Sequence, residues 1–92
     1  MKNRASWTQR FWQGMQQQEG TLPMQPILEL CGDRRVWIEN HRGVMGYSTE
    51  EIAIAVRFGQ FVVRGHELQL RKMEGNILLI VGKIETITIR KV

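Results

Sequence analysis

From Ile27 onward, apolar side chains recur at every second position. Three segments share the form apolar–x–apolar–x–Gly: "LELCG" (28–32), "FVVRG" (61–65) and "LLIVG" (78–82). Each is followed by another alternating set: Val36 and Ile38, Leu68 and Leu70, then Ile84 or Ile87 with Ile89. A period of two places alternate side chains on one buried face of a strand, and a closing glycine lets the backbone bend sharply. The glycines are spaced 33 and then 17 residues apart, which argues against a regular repeat. In "STEEIAIAV" (48–56) two signals compete. Ser48 and Glu51 form a helix capping box, whereas strict alternation and β-branched residues favour a strand, and the strand prevails.

The turns set the register. A two-residue turn at Gly59-Gln60 pairs Phe58 with Phe61 and Val56 with Val63, on one face with Ile52 and Ile54. A three-residue loop of Glu74, Gly75 and Asn76 pairs Leu70 with Ile80 and keeps the alternation intact. The expected fold is all-β: one domain over residues 27–92, with seven or eight short, mostly antiparallel strands. It forms a curled sheet or small sandwich, with a short β-solenoid as the alternative.

Residues 1–26 have a different texture. Ser6 and Gln9 form a capping box, after which Trp7, Phe11, Trp12 and Met15 share one side of a helical wheel. This predicts a short amphipathic helix, weakened by Gly14 and ended by Gly20, Pro23 and Pro26, and marginal in isolation. It needs a surface: its own domain, a second copy, a membrane or a membrane-protein partner.

Composition narrows the class. The chain is 42% hydrophobic and 24% charged, too apolar for a disordered segment. Cys31 is the one thiol, which excludes an internal disulfide and a CxxC metal site. No apolar run reaches the roughly 18 residues of a membrane span. Lys2, Arg4 and Arg10 are not followed by an apolar stretch, so the start does not read as a signal peptide. The net charge is +4, but beyond residue 26 both signs are interspersed, as on an ordinary solvated surface.

Candidate chemistry centres on "IENHRGVMGYS" (38–48). In a strand Glu39 and His41 point to the same face, so a carboxylate–imidazole hydrogen bond is conceivable. No nucleophile or metal-ligand set accompanies them, since the other histidine is His66 and Cys31 adjoins a glycine bend. The structural reading is better motivated: Asn40 and His41 end a strand, Arg42-Gly43 turns the chain, and Val44 begins a new one. Asn side chains bond local backbone at such turns, and glycine takes a positive φ. No nucleotide-binding glycine motif occurs. Tyr47, Phe58 and Phe61 are the candidates for base stacking, but the two phenylalanines fall on the inner face. Trp37 alternates away from Val36 and Ile38, which makes it a candidate contact residue or the floor beneath the N-terminal helix.

Residues 27–90 resemble the YabP/YqfC family of sporulation proteins, and more closely its YqfC branch. The resemblance rests on "LCGDRRVWIENHRGVMGYSTEEIAI", "FVVRGHELQLRKM" and "GKIETITI", with "ENHRG" matched in full over Glu39, Asn40, His41, Arg42 and Gly43 and Tyr47-Ser48 at the expected offset. Gly46 replaces the usual charged residue before the tyrosine, and the N-terminal segment is shortened. The resemblance implies a protein of endospore formation, expected in the mother-cell cytoplasm or at the periphery of the forespore membrane. It implies an integral membrane sporulation protein as partner and assigns no catalytic residue; the helix leaves self-association open, and the residues suggest no cofactor or metal. The expected function is a non-catalytic adaptor or assembly module, with Trp7, Phe11, Trp12, Met15 and Trp37 as contact candidates. The alternatives are a small basic β-barrel that binds nucleic acid, in keeping with a pI near 9.8, and an unrecognised enzyme using Glu39 and His41.

Overall fold

A computed structural model describes residues 25–92. The amphipathic segment with Trp7, Phe11, Trp12 and Met15 lies outside the described residues. Six strands follow one another: β1 (Ile27–Cys31), β2 (Arg35–Glu39), β3 (Gly43–Tyr47), β4 (Glu51–Val56), β5 (Gly59–Lys72) and β6 (Ile77–Lys91). They form a single antiparallel sheet in the order β1-β2-β6-β5-β4-β3. The all-β expectation holds. The strand count is lower because β5 and β6, of 14 and 15 residues, each merge two of the short strands expected from the pattern.

The connection between β2 and β3 dictates the shape. Glu39 pairs with Ile77 at one end of the β5–β6 ribbon, whereas Gly43 pairs with Ala55, which itself pairs with Gln60, opposite Arg90 at the other end. Thirteen residues of straight strand separate Ile77 from Arg90, about 43 Å. Four steps of chain from Glu39 to Gly43 reach at most about 14 Å. A straight ribbon is therefore impossible. It must fold double and bring its ends together.

The fold occurs where the ladder is irregular, between Arg64 and Gly65 and between His66 and Gln69. A Cβ at Gly65 would lie 1.8 Å from the Lys83 carbonyl oxygen, and one at Gly82 2.7 Å from that of Glu67. These are the closing glycines of "FVVRG" and "LLIVG", and they serve the bend the pattern assigned to them. Backbone donors released there find partners in two neighbouring turns. Gly65 and Leu68 donate N–H groups to the carbonyls of Glu50 and Thr49, while Gly82 and Ile84 donate to those of Arg34 and Asp33. These four bonds replace ladder bonds lost at the bend, as buried backbone requires.

The core fills the fold. Val36 and Ile38 of β2 with Leu78 and Ile80 of β6 meet Ile52, Ile54 and Val56 of β4 with Phe61 and Val63 of β5, and Leu68 joins them from the bend. Burying each of these side chains contributes about 1.5–3 kcal/mol.

Two registers test the turn reading. Leu70 pairs with Ile80, and Met73 donates to the Ile77 carbonyl across Glu74-Gly75-Asn76, as expected. The β4–β5 turn differs: Val56 pairs with Gly59 and Ile54 with Phe61, so Arg57-Phe58 is the turn and Gly59 stands in the ladder. The reason is space. A Cβ at Gly59 would meet the Arg90 carbonyl oxygen at 2.0 Å, so the glycine serves strand contact rather than turn geometry. Phe58 packs from the turn against Phe61, edge to face, with centroids 5.9 Å apart.

Candidate functional site

The "ENHRG" residues form the corner that carries the chain from one end of the folded ribbon to the other. Asn40 takes a positive φ of 62°, a conformation Asn tolerates better than most residues. Its backbone N–H donates to the Asn76 carbonyl at 3.0 Å, and its side-chain amide donates to the Gln25 carbonyl at 2.8 Å. This bond is a long-range one. The amide reaches back fifteen residues to hold the chain entering β1, because residue 25 passes the corner on its way into the sheet. Two residues later Arg42 N–H donates to the Ala55 carbonyl at 2.7 Å, fastening the corner to β4. Gly43 has φ 132°, as the turn reading required.

Glu39 and His41 each have a hydrogen-bond partner in the fold. The Glu39 carboxylate accepts a hydrogen bond from the Trp37 indole N–H at 2.7 Å. His41 Nδ1 accepts from the Gly43 backbone N–H at 2.9 Å, which fixes the imidazole in the corner with Nδ1 unprotonated. Burial pushes the His41 pKa below its ordinary value, and the nearby Lys72 charge pushes it the same way. Lys72, at the far end of β5, was not legible as a neighbour of the motif. Only the folded ribbon brings it there.

Tyr47 is separated from the corner by the length of β3 and is 58% exposed at the sheet edge. Beyond it the Ser48 hydroxyl accepts N–H groups from Glu50 and Glu51. The capping chemistry of Ser48 is present but closes a β-turn instead of opening a helix. Phe61 is buried at 3% exposure, so the aromatic residues do not make a stacking surface. Trp37 lies on the face opposite Val36 and Ile38, half-buried, beside Leu79 of β6. Arg34, Arg35 and Arg71, which sequence reasoning did not single out, line a groove at the bend. Among the described residues no three of His, Cys, Asp and Glu gather as metal ligands do, and no helix is long and apolar enough to cross a membrane.

The corner, the bend and the strands that carry them all fall within residues 24–91, which match the model of the YabP family. The chain belongs to the YabP family. It is similar to an uncharacterized protein, YqfC, of Bacillus subtilis (strain 168), with 26% identity over 62 residues that span 67% of each chain. No solved structure matches it. Membership brings an association with sporulation and attaches no established activity.

Proposed function

We propose that this YabP-family chain is a non-catalytic module of endospore formation, acting through protein contacts beside the forespore membrane in the mother cell. The observation that carries this reading is the use of the family motif. Asn40 donates to the β5–β6 loop and Arg42 to β4, His41 holds Gly43, and Glu39 holds Trp37. These contacts give Glu39 and His41 partners within the fold, which supports a structural use of the motif. What the motif presents outward is a rigid corner and the Trp37 face, features of a contact surface, and an integral membrane sporulation protein is the partner the reading names. The N-terminal residues Trp7, Phe11, Trp12 and Met15 supply the second candidate contact.

Complementation tests the reading. In an endospore-forming strain lacking the gene, Glu39→Gln and His41→Asn chains should restore spore yield wherever they accumulate folded. A chain lacking residues 1–24 should accumulate but fail to restore it. A fluorescent fusion should gather around the forespore. Loss of complementation by a folded, stable Glu39→Gln chain would return the enzyme reading to the front.

A further inference from the structure

The bend holds an open groove of about 670 Å³ between the two turns that complete its ladder. Arg34 enters it from the β1–β2 turn, Arg35 from β2, Thr49 from the β3–β4 turn, and Gln69 and Arg71 from β5. The sheet register fixes the arrangement: Arg35, Val81 and Gln69 form one cross-strand row, and Trp37, Leu79 and Arg71 the next. Arg35 and Arg71 therefore start about 12 Å apart, on either side of an apolar floor. Among the described residues none of the three guanidinium groups has a side-chain hydrogen bond or an ion pair. The one carboxylate in the groove, Glu67, faces Lys83 at 3.9 Å instead.

Three exposed like charges lining one groove, with Glu67 as its one carboxylate and that one turned to Lys83, contribute little to folding. Their chemistry suits one class of ligand. Guanidinium groups bind phosphate oxygens in bidentate fashion, and the Thr49 hydroxyl and Gln69 amide add donors. Next to them Trp37, whose indole N–H is held by Glu39, and Leu79 form a half-buried floor. A nucleic-acid strand wants successive aromatic platforms, and this face has a single one.

We propose that the groove binds the phosphate oxyanion of an acidic phospholipid headgroup, with Arg34, Arg35 and Arg71 neutralising it. This deepens the membrane-side reading above and rests on it for the source of the phosphate alone. The test uses lipid without protein partners, so the two fail separately. Full-length chain is floated with vesicles of phosphatidylcholine, alone or with about one-third phosphatidylglycerol, at physiological salt. It should float with the acidic vesicles and not with the neutral ones. Combined Arg34→Gln, Arg35→Gln and Arg71→Gln substitutions should weaken binding about a hundredfold, at roughly fivefold per charge near the surface. Combined Arg57→Gln, Arg90→Gln and Lys91→Gln substitutions remove the same charge at the far end of the ribbon, and should weaken it no more than about twofold. Equal losses in the two triples, or no flotation at all, overturn the groove. Saturable binding of inorganic phosphate without flotation overturns the lipid source. Tighter binding of a single-stranded oligonucleotide, lost in the first triple, overturns it in favour of nucleic acid.

Discussion

At Gly65 an added methyl would overlap the Lys83 carbonyl oxygen, yet at Gly43 it would meet nothing within 4 Å. The two glycines are required for different reasons, and their substitutions should differ accordingly. Gly43→Ala strains only a backbone held at φ 132°, for a loss of about 1–2 kcal/mol. Gly65→Ala forces apart two paired strands at the bend and should remove at least about 3 kcal/mol. Denaturant titration of both variants checks the order. Equal losses would mean that the bend yields more easily than its geometry suggests. His41 makes a pH prediction at the same scale. Its folded-state pKa lies below the unfolded value, because burial and then Lys72 oppose the charged form. The unfolded chain therefore takes up the proton first as the pH falls. The contribution of His41 is fully present above about pH 6.5 and declines from there through its lowered folded value. Subtracting the pH–stability curve of His41→Asn from that of the parent should isolate this decline, and a difference that stays level would remove the Nδ1 contact from the account.

At the scale of elements, Leu68 shows what the bend contributes. It is fully buried although it sits in the irregular segment of β5, beside Glu67 with its positive φ of 55°. Leu68→Ala should lose about 3 kcal/mol by leaving a cavity. Ile89→Ala, at 59% exposure on the distal part of β6, should lose under about 1 kcal/mol. The alternation that marked both residues could not separate them, because period fixes the face of a strand and says nothing about what covers it. The same limit explains the β4–β5 turn. Moving the pairing from Val56–Val63 to Ile52–Val63 is an even shift, which leaves every side chain on its original face. An odd shift is excluded by pattern, as at Leu70–Ile80, whereas an even one is decided by turn sterics alone. The corner was legible through its residue types. Its partners Asn76, Ala55 and Gln25 were not, since each comes from a different element brought in by the folded ribbon.

For the whole molecule, the sheet remains open, with β1 and β3 as its edges. Both are five residues long, and β3 carries a bulge between Val44 and Gly46, devices that discourage edge-to-edge association. Away from the bend, the corner joins the two halves by the short path from Glu39 to Gly43. Deleting His41 shortens the reach from Glu39 to Gly43 to about 10 Å and removes the Nδ1 contact as well. Such a chain should not fold cooperatively, whereas inserting one glycine after Arg42 should lose no more than about 2 kcal/mol. Thermal unfolding of the two variants separates a geometric requirement for the corner from a merely local one.

Four of the five strand pairings join neighbours in sequence, and the fifth, β2 with β6, joins residues from 38 (Glu39 and Ile77) to 46 (Arg35 and Val81) positions apart. The chain can therefore assemble β3 through β6 as successive hairpins before β2 docks, and the long loop closure falls late on the pathway. Ile38 and Ile54 are both fully buried, so Ile→Val at either should remove about 1 kcal/mol. Ile54→Val, within the early hairpins, should slow refolding by several-fold. Ile38→Val should leave refolding nearly unchanged and speed unfolding about fivefold, and slowed refolding instead would place the docking of β2 before the transition state.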